Sequence, residues 1–231
     1  MTGMDGGDRR LQRAALVVTL LSSFLTPMAL STVNVALPSI GLEFDADPVS
    51  LGWIATSFII AASVFLIPLG KLADMYGRRR IFLAGNFIFM VASLFLGFSS
   101  SHAMLIALRG VQGFGAAMIF GTAIAILSSV YETGQRGKAL GLSVAAVYCG
   151  LSVGPFVGGV LTHHFGWRSI FFLNVPVGLI IIALTQWWLK GEWKGEGHGP
   201  FDVSGSILYV ISLCLVMVGF SRLPSRDGLA M

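Results

Sequence analysis

Charged residues are scarce in this sequence of 231 residues: they make up 11% of it, against roughly 25% in a typical soluble domain. Hydrophobic residues make up 55%, and the mean hydropathy is +0.82. Cysteine is also scarce. The two that occur, Cys149 and Cys214, lie in apolar runs, which excludes a disulfide framework and a CxxC metal or redox site. This composition predicts a membrane protein.

Acidic residues are missing from the interior of every apolar run. They lie outside the runs or at their rims: Asp5, Asp8, Glu43, Asp45, Asp47, Asp74, Glu132, Glu192, Glu196, Asp202 and Asp227. No carboxylate is therefore placed to carry a proton at the midplane of a bilayer. An HExxH motif, a GxGD-like aspartate pair and a GxxxxGK phosphate loop are absent as well. We therefore predict no catalytic residue, no bound metal and no enzyme.

Seven apolar runs are long enough to cross a bilayer as helices, at approximately 14–36, 51–70, 81–98, 103–129, 138–162, 168–189 and 204–221. A hydrocarbon core of about 30 Å needs about 20 mostly apolar helical residues. Because lipid offers the backbone no hydrogen-bond partner, runs of this length and uniformity indicate helices rather than barrel strands. The predicted fold is an all-α helical bundle whose partner is the lipid bilayer.

The loops between the runs carry Lys and Arg unevenly. With the N-terminus in the cytoplasm, most of these residues face inside: Arg9, Arg10, Arg13, Lys71, Arg78, Arg79, Arg80, Arg136, Lys138, Lys190 and Lys194. Only Arg168, Arg222 and Arg226 fall outside, and Arg109 lies within a run. This asymmetry predicts a multi-pass protein of the inner (plasma) membrane with a cytoplasmic N-terminus. It also accounts for the basic balance without nucleic acid, which would require one continuous basic face.

The loop GKLADMYGRRR, residues 70–80, combines glycines with an acid among bases. Gly70 and Gly77 permit a close approach or a left-handed turn, and Asp74 can pair with an arginine or a helix end at the membrane rim. The stretch resembles the signature loop between helices two and three of the major facilitator superfamily. The matching positions are Gly70, Leu72, Ala73, Asp74, Gly77, Arg78 and Arg80. The resemblance implies a gating loop, although Met75 replaces a basic residue; a loop that only sets orientation is the alternative.

The fourth run contains RGVQGFGAA, residues 109–117, with the formal charge of Arg109 inside the membrane. A buried charge is costly, so Arg109 is expected to face the bundle interior or a water-filled cavity, with Gln112 on the same helix face. The stretch resembles the superfamily motif RxxQGxGxA, which implies a role in proton coupling. Gly121 departs from the pattern, where proline is common. An arginine that only snorkels or links helices is the alternative.

The fifth run contains GLSVGPFVGG, residues 150–159, in which glycines and a proline permit close helix contact and a bend. It resembles the antiporter motif GxxxGPxxGG, which is characteristic of exporters in the superfamily. The matching residues are Gly150, Gly154, Pro155, Gly158 and Gly159. Generic glycine packing is the alternative.

The stretches STVNVALPSI, residues 31–40, and WRSIFFLNVPVG, residues 167–178, resemble the first- and sixth-helix signatures of the fourteen-helix drug:proton antiporter branch. We take Thr32 and Asn34 as cavity candidates on the first helix. Ala29 stands where that branch's signature has an acid. Proton coupling in this chain therefore lacks its usual first-helix carrier.

The resemblance implies a six-helix N-terminal half, built as a three-plus-three inverted repeat, followed by a seventh transmembrane helix. The predicted division is a cytoplasmic tail (1–13), the transporter half (14–189), a cytoplasmic linker (190–203), the linker helix (204–221) and an outer loop (222–231). Alternating access needs two halves, so a C-terminal half or a second copy is the expected partner.

The implied function is export of small, amphipathic molecules, driven by the proton gradient and without a cofactor. Three alternatives remain open: a narrow metabolite exporter, a regulatory half that does not transport, and a degenerate fragment.

Overall fold

The computed structural model describes residues 6–195 and 201–222. Within these residues the chain forms α-helices and no β-strand. The helices are α1 (Gly6–Phe44), α2 (Pro48–Tyr76), α3 (Arg78–Gly97), α4 (His102–Val130), α5 (Thr133–Phe165), α6 (Ser169–Trp187) and α7 (Val203–Arg222). The all-α prediction is confirmed.

Six of the helices, α1 to α6, are long and apolar enough to cross a membrane, which confirms the first six predicted spans by length and composition. In α7 the apolar stretch among the described residues, Val203–Met217, is shorter, and the seventh span stays a prediction. Helix α1 begins before and ends after the predicted run 14–36. Its ends extend past the apolar core because a helix can continue into water, where solvent satisfies its polar groups.

Polar side chains fix where two of the helices begin. The carboxylate of Asp47 accepts hydrogen bonds from the backbone N–H groups of Val49 at 2.8 Å and Ser50 at 3.1 Å, at the start of α2. Hydrogen bonds from the Ser50 hydroxyl and backbone hold the pKa of Asp47 below its usual value. At the start of α4, the hydroxyl of Ser101 accepts a bond from the N–H of Met104 at 3.2 Å. Both residues satisfy N–H groups that a helix leaves unpaired.

The helix contacts follow an internal repeat of three helices. Helix α1 packs on α5, and α4 packs on α2; helix α3 packs on α4, and α6 packs on α1; α3 and α6 also meet. If α1, α2 and α3 are exchanged with α4, α5 and α6, the α1–α5 contact becomes the α4–α2 contact, and the α3–α4 contact becomes the α6–α1 contact. This pattern agrees with the predicted three-plus-three repeat.

Helices α2 and α5 lie at the margins of the bundle. In an apolar 18-residue stretch of each of these two helices only 17% of the residues are buried, against 67% in α1 and 56% in α4. The buried residues of α5 are all small or polar and form one stripe: Ala139, Ser143, Gly150, Gly154 and Gly158. The remaining surface of α5 is available to lipid or to another protein.

Candidate functional site

The chain turns between α2 and α3 at Gly77. Its φ of +116° lies in a region that residues with a side chain rarely adopt. Its N–H donates to the carbonyl of Ala73 at 2.9 Å and ends α2, and α3 begins at the next residue. A Cβ at this position would lie 2.5 Å from the carboxyl carbon of Glu192. Glycine is therefore required here for two reasons: the backbone has a positive φ, and the side chain of Glu192 leaves no room for a Cβ.

An ion pair joins the end of α2 to the start of α3. The Oδ1 atom of Asp74 lies 2.7 Å from Nη2 of Arg78 and also accepts a bond from its Nε at 2.9 Å. The Nη1 atom of Arg78 donates to the carbonyl of Ala125 at 3.1 Å and to the hydroxyl of Ser129, near the end of α4. One guanidinium thus links three helices at one rim of the bundle.

The linker after α6 lies against the same junction. The carboxylate of Glu192 accepts a bond from the backbone N–H of Arg79 at 2.8 Å and lies 3.6 Å from Nε of Arg80. Since Gly77, at the N-cap of α3, has no side chain to cap the helix, the linker supplies the cap. Glu192 is not among the site residues predicted from the sequence. Its signal is an acid in a basic linker, together with a helix that begins Arg-Arg-Arg directly after a glycine.

Two backbone hydrogen bonds complete this contact. The N–H of Arg78 donates to the carbonyl of Trp193 at 2.8 Å, and the N–H of Gly195 donates to the carbonyl of Asp74 at 3.0 Å. Gly70, at the start of the loop motif, has open space where a Cβ would stand. Asp74, Gly77, Arg78 and Arg80 therefore take part in the junction, and Gly70 lies apart from it within α2.

Arg109 is fully buried between α2 and α4, with 0% of its surface exposed. Its Nε donates to the carbonyl of Ile54 at 3.1 Å, and its Nη1 donates to Oε1 of Gln112 at 2.7 Å. The guanidinium carbon lies 4.3 Å from the ring centroid of Phe58, a cation–π contact. The structure thus brings together the two residues that the sequence motif singled out.

The polar network continues from Gln112 into α3 and α6. The Nε2 atom of Gln112 donates to the hydroxyl of Ser93 at 2.7 Å, and Nδ2 of Asn174 lies 3.5 Å from the same oxygen. Ser93 is not among the site residues predicted from the sequence. Asn174 lies in the stretch that resembles the sixth-helix signature, which was the available signal. Polar side chains of α3, α4 and α6 therefore form one network that ends at the guanidinium of Arg109.

Two atoms of this network have no hydrogen-bond partner among the described residues. They are Nη2 of Arg109 and Oδ1 of Asn174. The buried side chains of the described residues include no Asp or Glu, so no buried carboxylate neutralises the guanidinium. An unneutralised charge inside an apolar bundle is costly, and such a group is a functional-site candidate by default.

The glycines of the fifth-helix motif hold α5 against α1. A Cβ on Gly154 would lie 2.6 Å from Cβ of Ser31, and a Cβ on Gly158 would lie 2.9 Å from Cα of Thr32. A Cβ on Gly150 would collide with the carbonyl oxygen of Phe24. These three residues share one face because they recur every four positions.

Two other members of that motif lie away from the contact. A Cβ on Gly159 would have only Cγ1 of Val35 nearby, at 4.0 Å. Pro155 is exposed, and α5 continues through it as one helix from Thr133 to Phe165. The motif therefore combines a stripe of packed glycines with an exposed proline and a half-buried glycine outside that stripe.

The first-helix candidates lie away from the Arg109 network. Thr32 is buried at the α1–α5 contact, and its hydroxyl donates to the carbonyl of Ala29 at 3.1 Å. Asn34 is exposed. Ala29 is buried with 1% exposure and belongs to the main apolar core. The structure therefore places Asn34, and neither Thr32 nor Ala29, on an open surface.

At the opposite rim, Arg168 clamps the end of α1. Its Nη1 and Nη2 donate to the two carboxylate oxygens of Glu43 at 2.8 and 2.6 Å, and Nε1 of Trp167 donates to the same carboxylate at 2.7 Å. Nη2 of Arg168 also donates to the carbonyl of Ser99, between α3 and α4. Each rim thus has an arginine that joins separate helices.

Within the described residues, no group of three or more His, Cys, Asp or Glu is placed to hold a metal ion.

Comparisons with known proteins agree with this architecture. A family model described as Major Facilitator Superfamily matches residues 19–221. The multidrug resistance protein Stp of Mycobacterium tuberculosis is 36% identical over 205 residues, which are 88% of this chain and 38% of that protein. The cephamycin export protein CmcT of Amycolatopsis lactamdurans is 36% identical over 210 residues, 90% of this chain and 43% of that protein.

The riboflavin transporter RibZ of Clostridioides difficile is 30% identical over 207 residues, 90% of this chain and 45% of that protein. The chain therefore spans less than half the length of each of these three relatives.

Proposed function

Because this chain belongs to the major facilitator superfamily, we propose that it forms the N-terminal half of a secondary active exporter of small organic molecules. One observation carries the proposal: Arg109 is fully buried in a polar network, and no buried carboxylate among the described residues neutralises it. Such a charge opposes insertion into lipid, and ionisable groups inside membrane bundles mark transport pathways. The names of two relatives, a cephamycin export protein and a multidrug resistance protein, support export.

Alternating access requires a second half that rocks against the first. A C-terminal half, or a second copy of this chain, is the proposed partner. The wide free surface of α5 supports this partnership, since a narrow stripe of small residues is all that α5 buries against the described bundle. The junction around Asp74 and Arg78 is the proposed gating element, because it joins three helices through one guanidinium that a conformational change can release.

The proposed energy source is the proton gradient, and the proposed orientation has the N-terminus in the cytoplasm of the inner (plasma) membrane. The loop distribution of Lys and Arg supports the orientation. The described residues of this chain include no buried carboxylate, the usual proton carrier inside a membrane bundle. The proposed proton carrier is a group of the partner half, a titrating substrate, or the pair His163 and His164 in the last turn of α5, and Arg109 is proposed to act together with it.

A half that does not transport is the second candidate. The observation that favours it is Ala29, which is buried in the apolar core where the resembled signature has an acid. A narrow-substrate exporter is a variant of the first candidate; the name of the riboflavin transporter, which specifies a single substrate, supports narrow specificity.

The first experiment attaches an N-terminal tag at the chromosomal locus and measures the mass of the membrane product. A product near 24.6 kDa indicates a half that acts with a second copy or does not transport; a product of about twice that mass indicates a two-half exporter. The second experiment follows efflux of a fluorescent amphipathic cation from cells that express this product, with and without a protonophore. We expect Arg109→Ala to abolish protonophore-sensitive efflux.

Arg136→Ala is the matched control, because it removes an arginine at the start of α5, away from the buried network. Normal efflux by Arg109→Ala at normal membrane abundance would overturn the transport role of the buried network. Absence of efflux from the unmodified product, across several substrate classes, favours the second candidate.

A further inference from the structure

An open cavity of about 760 Å³ lies between the start of α1 and the end of α6. Three basic side chains line it: Arg10, Arg13 and Lys190. All three are exposed, and none forms an ion pair with an acid among the described residues. Arg10 and Arg13 are three positions apart and so lie on one helix face. Three unneutralised cations around one cavity favour an anionic ligand.

Two tryptophans form another wall of this cavity. Trp187 and Trp188 are 71% and 56% exposed. They stand where α6, a helix long and apolar enough to cross a membrane, reaches its end. Tryptophan is enriched at this level of a bilayer, between headgroups and hydrocarbon. The cavity therefore lies at the headgroup level of one leaflet.

Apolar residues of α1 continue the cavity away from its basic mouth. Ala14 and Val17 line it one and two turns beyond Arg10, where α1 enters its apolar run. A soluble phosphate would contact the cations and leave this apolar wall uncovered. A phospholipid matches both the basic and the apolar part of the cavity. Its phosphate would contact the cations, and the first methylene groups of an acyl chain would lie along α1.

We propose that this cavity is a binding site for the headgroup of an anionic phospholipid, bound through its phosphodiester by Arg10, Arg13 and Lys190. With three cations, the site favours cardiolipin, which carries two phosphates, over phosphatidylglycerol, and it favours both over zwitterionic phosphatidylcholine. Basic pockets between transmembrane helices are suited to such headgroups. The lipid would tie the start of α1 to the end of α6 across a gap that no ion pair between them bridges in the described structure.

Native mass spectrometry tests the proposal. The protein is purified in detergent and titrated with each lipid, and the acyl chains of the three lipids have equal length. We expect cardiolipin and phosphatidylglycerol to bind and phosphatidylcholine to bind much more weakly. The triple variant Arg10→Gln, Arg13→Gln, Lys190→Gln is expected to bind the anionic lipids roughly tenfold or more weakly, because each basic residue contributes to attraction of anionic lipid. The charge-matched control is Arg136→Gln, Lys138→Gln, Lys194→Gln, which changes three basic residues outside the cavity.

Equal binding of all three lipids, or an equal loss in both triple variants, would overturn the proposal. Displacement of bound lipid by millimolar inorganic phosphate would identify a soluble-anion site instead and would overturn the assignment to lipid. Unfolding temperatures without lipid show whether the triple variant is folded; if it is not, the three single variants carry the same comparison. The readout is lipid binding, so its result is independent of whether the chain transports.

Discussion

The carboxylate of Glu192 accepts a hydrogen bond from the backbone N–H of Arg79 at 2.8 Å, although the two residues are 113 positions apart. A helix leaves its first N–H groups unpaired, and Gly77 cannot pair them for α3. A carboxylate at this position also interacts favourably with the positive end of the helix dipole. The linker after α6 and the loop motif at residues 70–80 therefore form one structural unit, and a movement of the linker removes the cap from α3.

Replacing Glu192 by Ala should lower the stability of the chain by about 1 kcal/mol, the usual effect of losing a helix cap. The measurement is thermal unfolding of the purified chain in detergent. Glu132→Ala is the control, because Glu132 holds the N-cap position of α5 without making a capping hydrogen bond. If both variants unfold at the temperature of the unmodified chain, Glu192 does not stabilise α3.

Replacing Gly77 by Ala should destabilise the chain more than the loss of Glu192 does. A left-handed backbone costs a residue with a side chain roughly 1–2 kcal/mol, and the new Cβ would also displace the Glu192 carboxylate. Gly70→Ala in the same motif is the control, since its Cβ would enter open space inside α2. We expect Gly70→Ala to unfold at the same or a higher temperature, because alanine favours a helix. Equal stability of the two variants would contradict the role of the Gly77 turn.

The spans and the Arg109–Gln112 pair were predictable from the sequence for a local reason. An apolar run of about 20 residues forms a transmembrane helix in lipid, and two residues three positions apart lie on the same face of that helix. Ser93 and Glu192 were not predictable in this way. Each reaches its partner through the packing of separate helices, which depends on side-chain fit across the whole bundle. The end of α1 was missed because hydropathy marks the apolar core and not the helix that continues beyond it.

The stripe of glycines on α5 offers a packing test. Replacing Gly154 by Ala should lower stability by about 1–3 kcal/mol, the usual cost of overpacking, because the new Cβ would lie 2.6 Å from Cβ of Ser31. The measurement is thermal unfolding. Gly159→Ala is the control within the same motif, since its nearest neighbour would lie at 4.0 Å. A loss of efflux by Gly159→Ala at unchanged stability would instead indicate that the residue contacts the proposed partner half.

Replacing Ser93 by Ala tests the buried network around Arg109. The change removes the acceptor of the 2.7 Å bond from Gln112 and leaves an amide donor buried without a partner, which costs about 1–3 kcal/mol. Ser99→Ala is the control, because the hydroxyl of that buried serine, just after the end of α3, donates to the carbonyl of Phe95 and not to a member of the network around Arg109. Thermal unfolding measures the stability, and protonophore-sensitive efflux measures the effect on Arg109. Since Gln112 also fixes one side of the guanidinium, Ser93→Ala should reduce efflux beyond its effect on membrane abundance. Reduced stability with normal efflux per molecule would make Ser93 a structural residue and separate it from the function of Arg109.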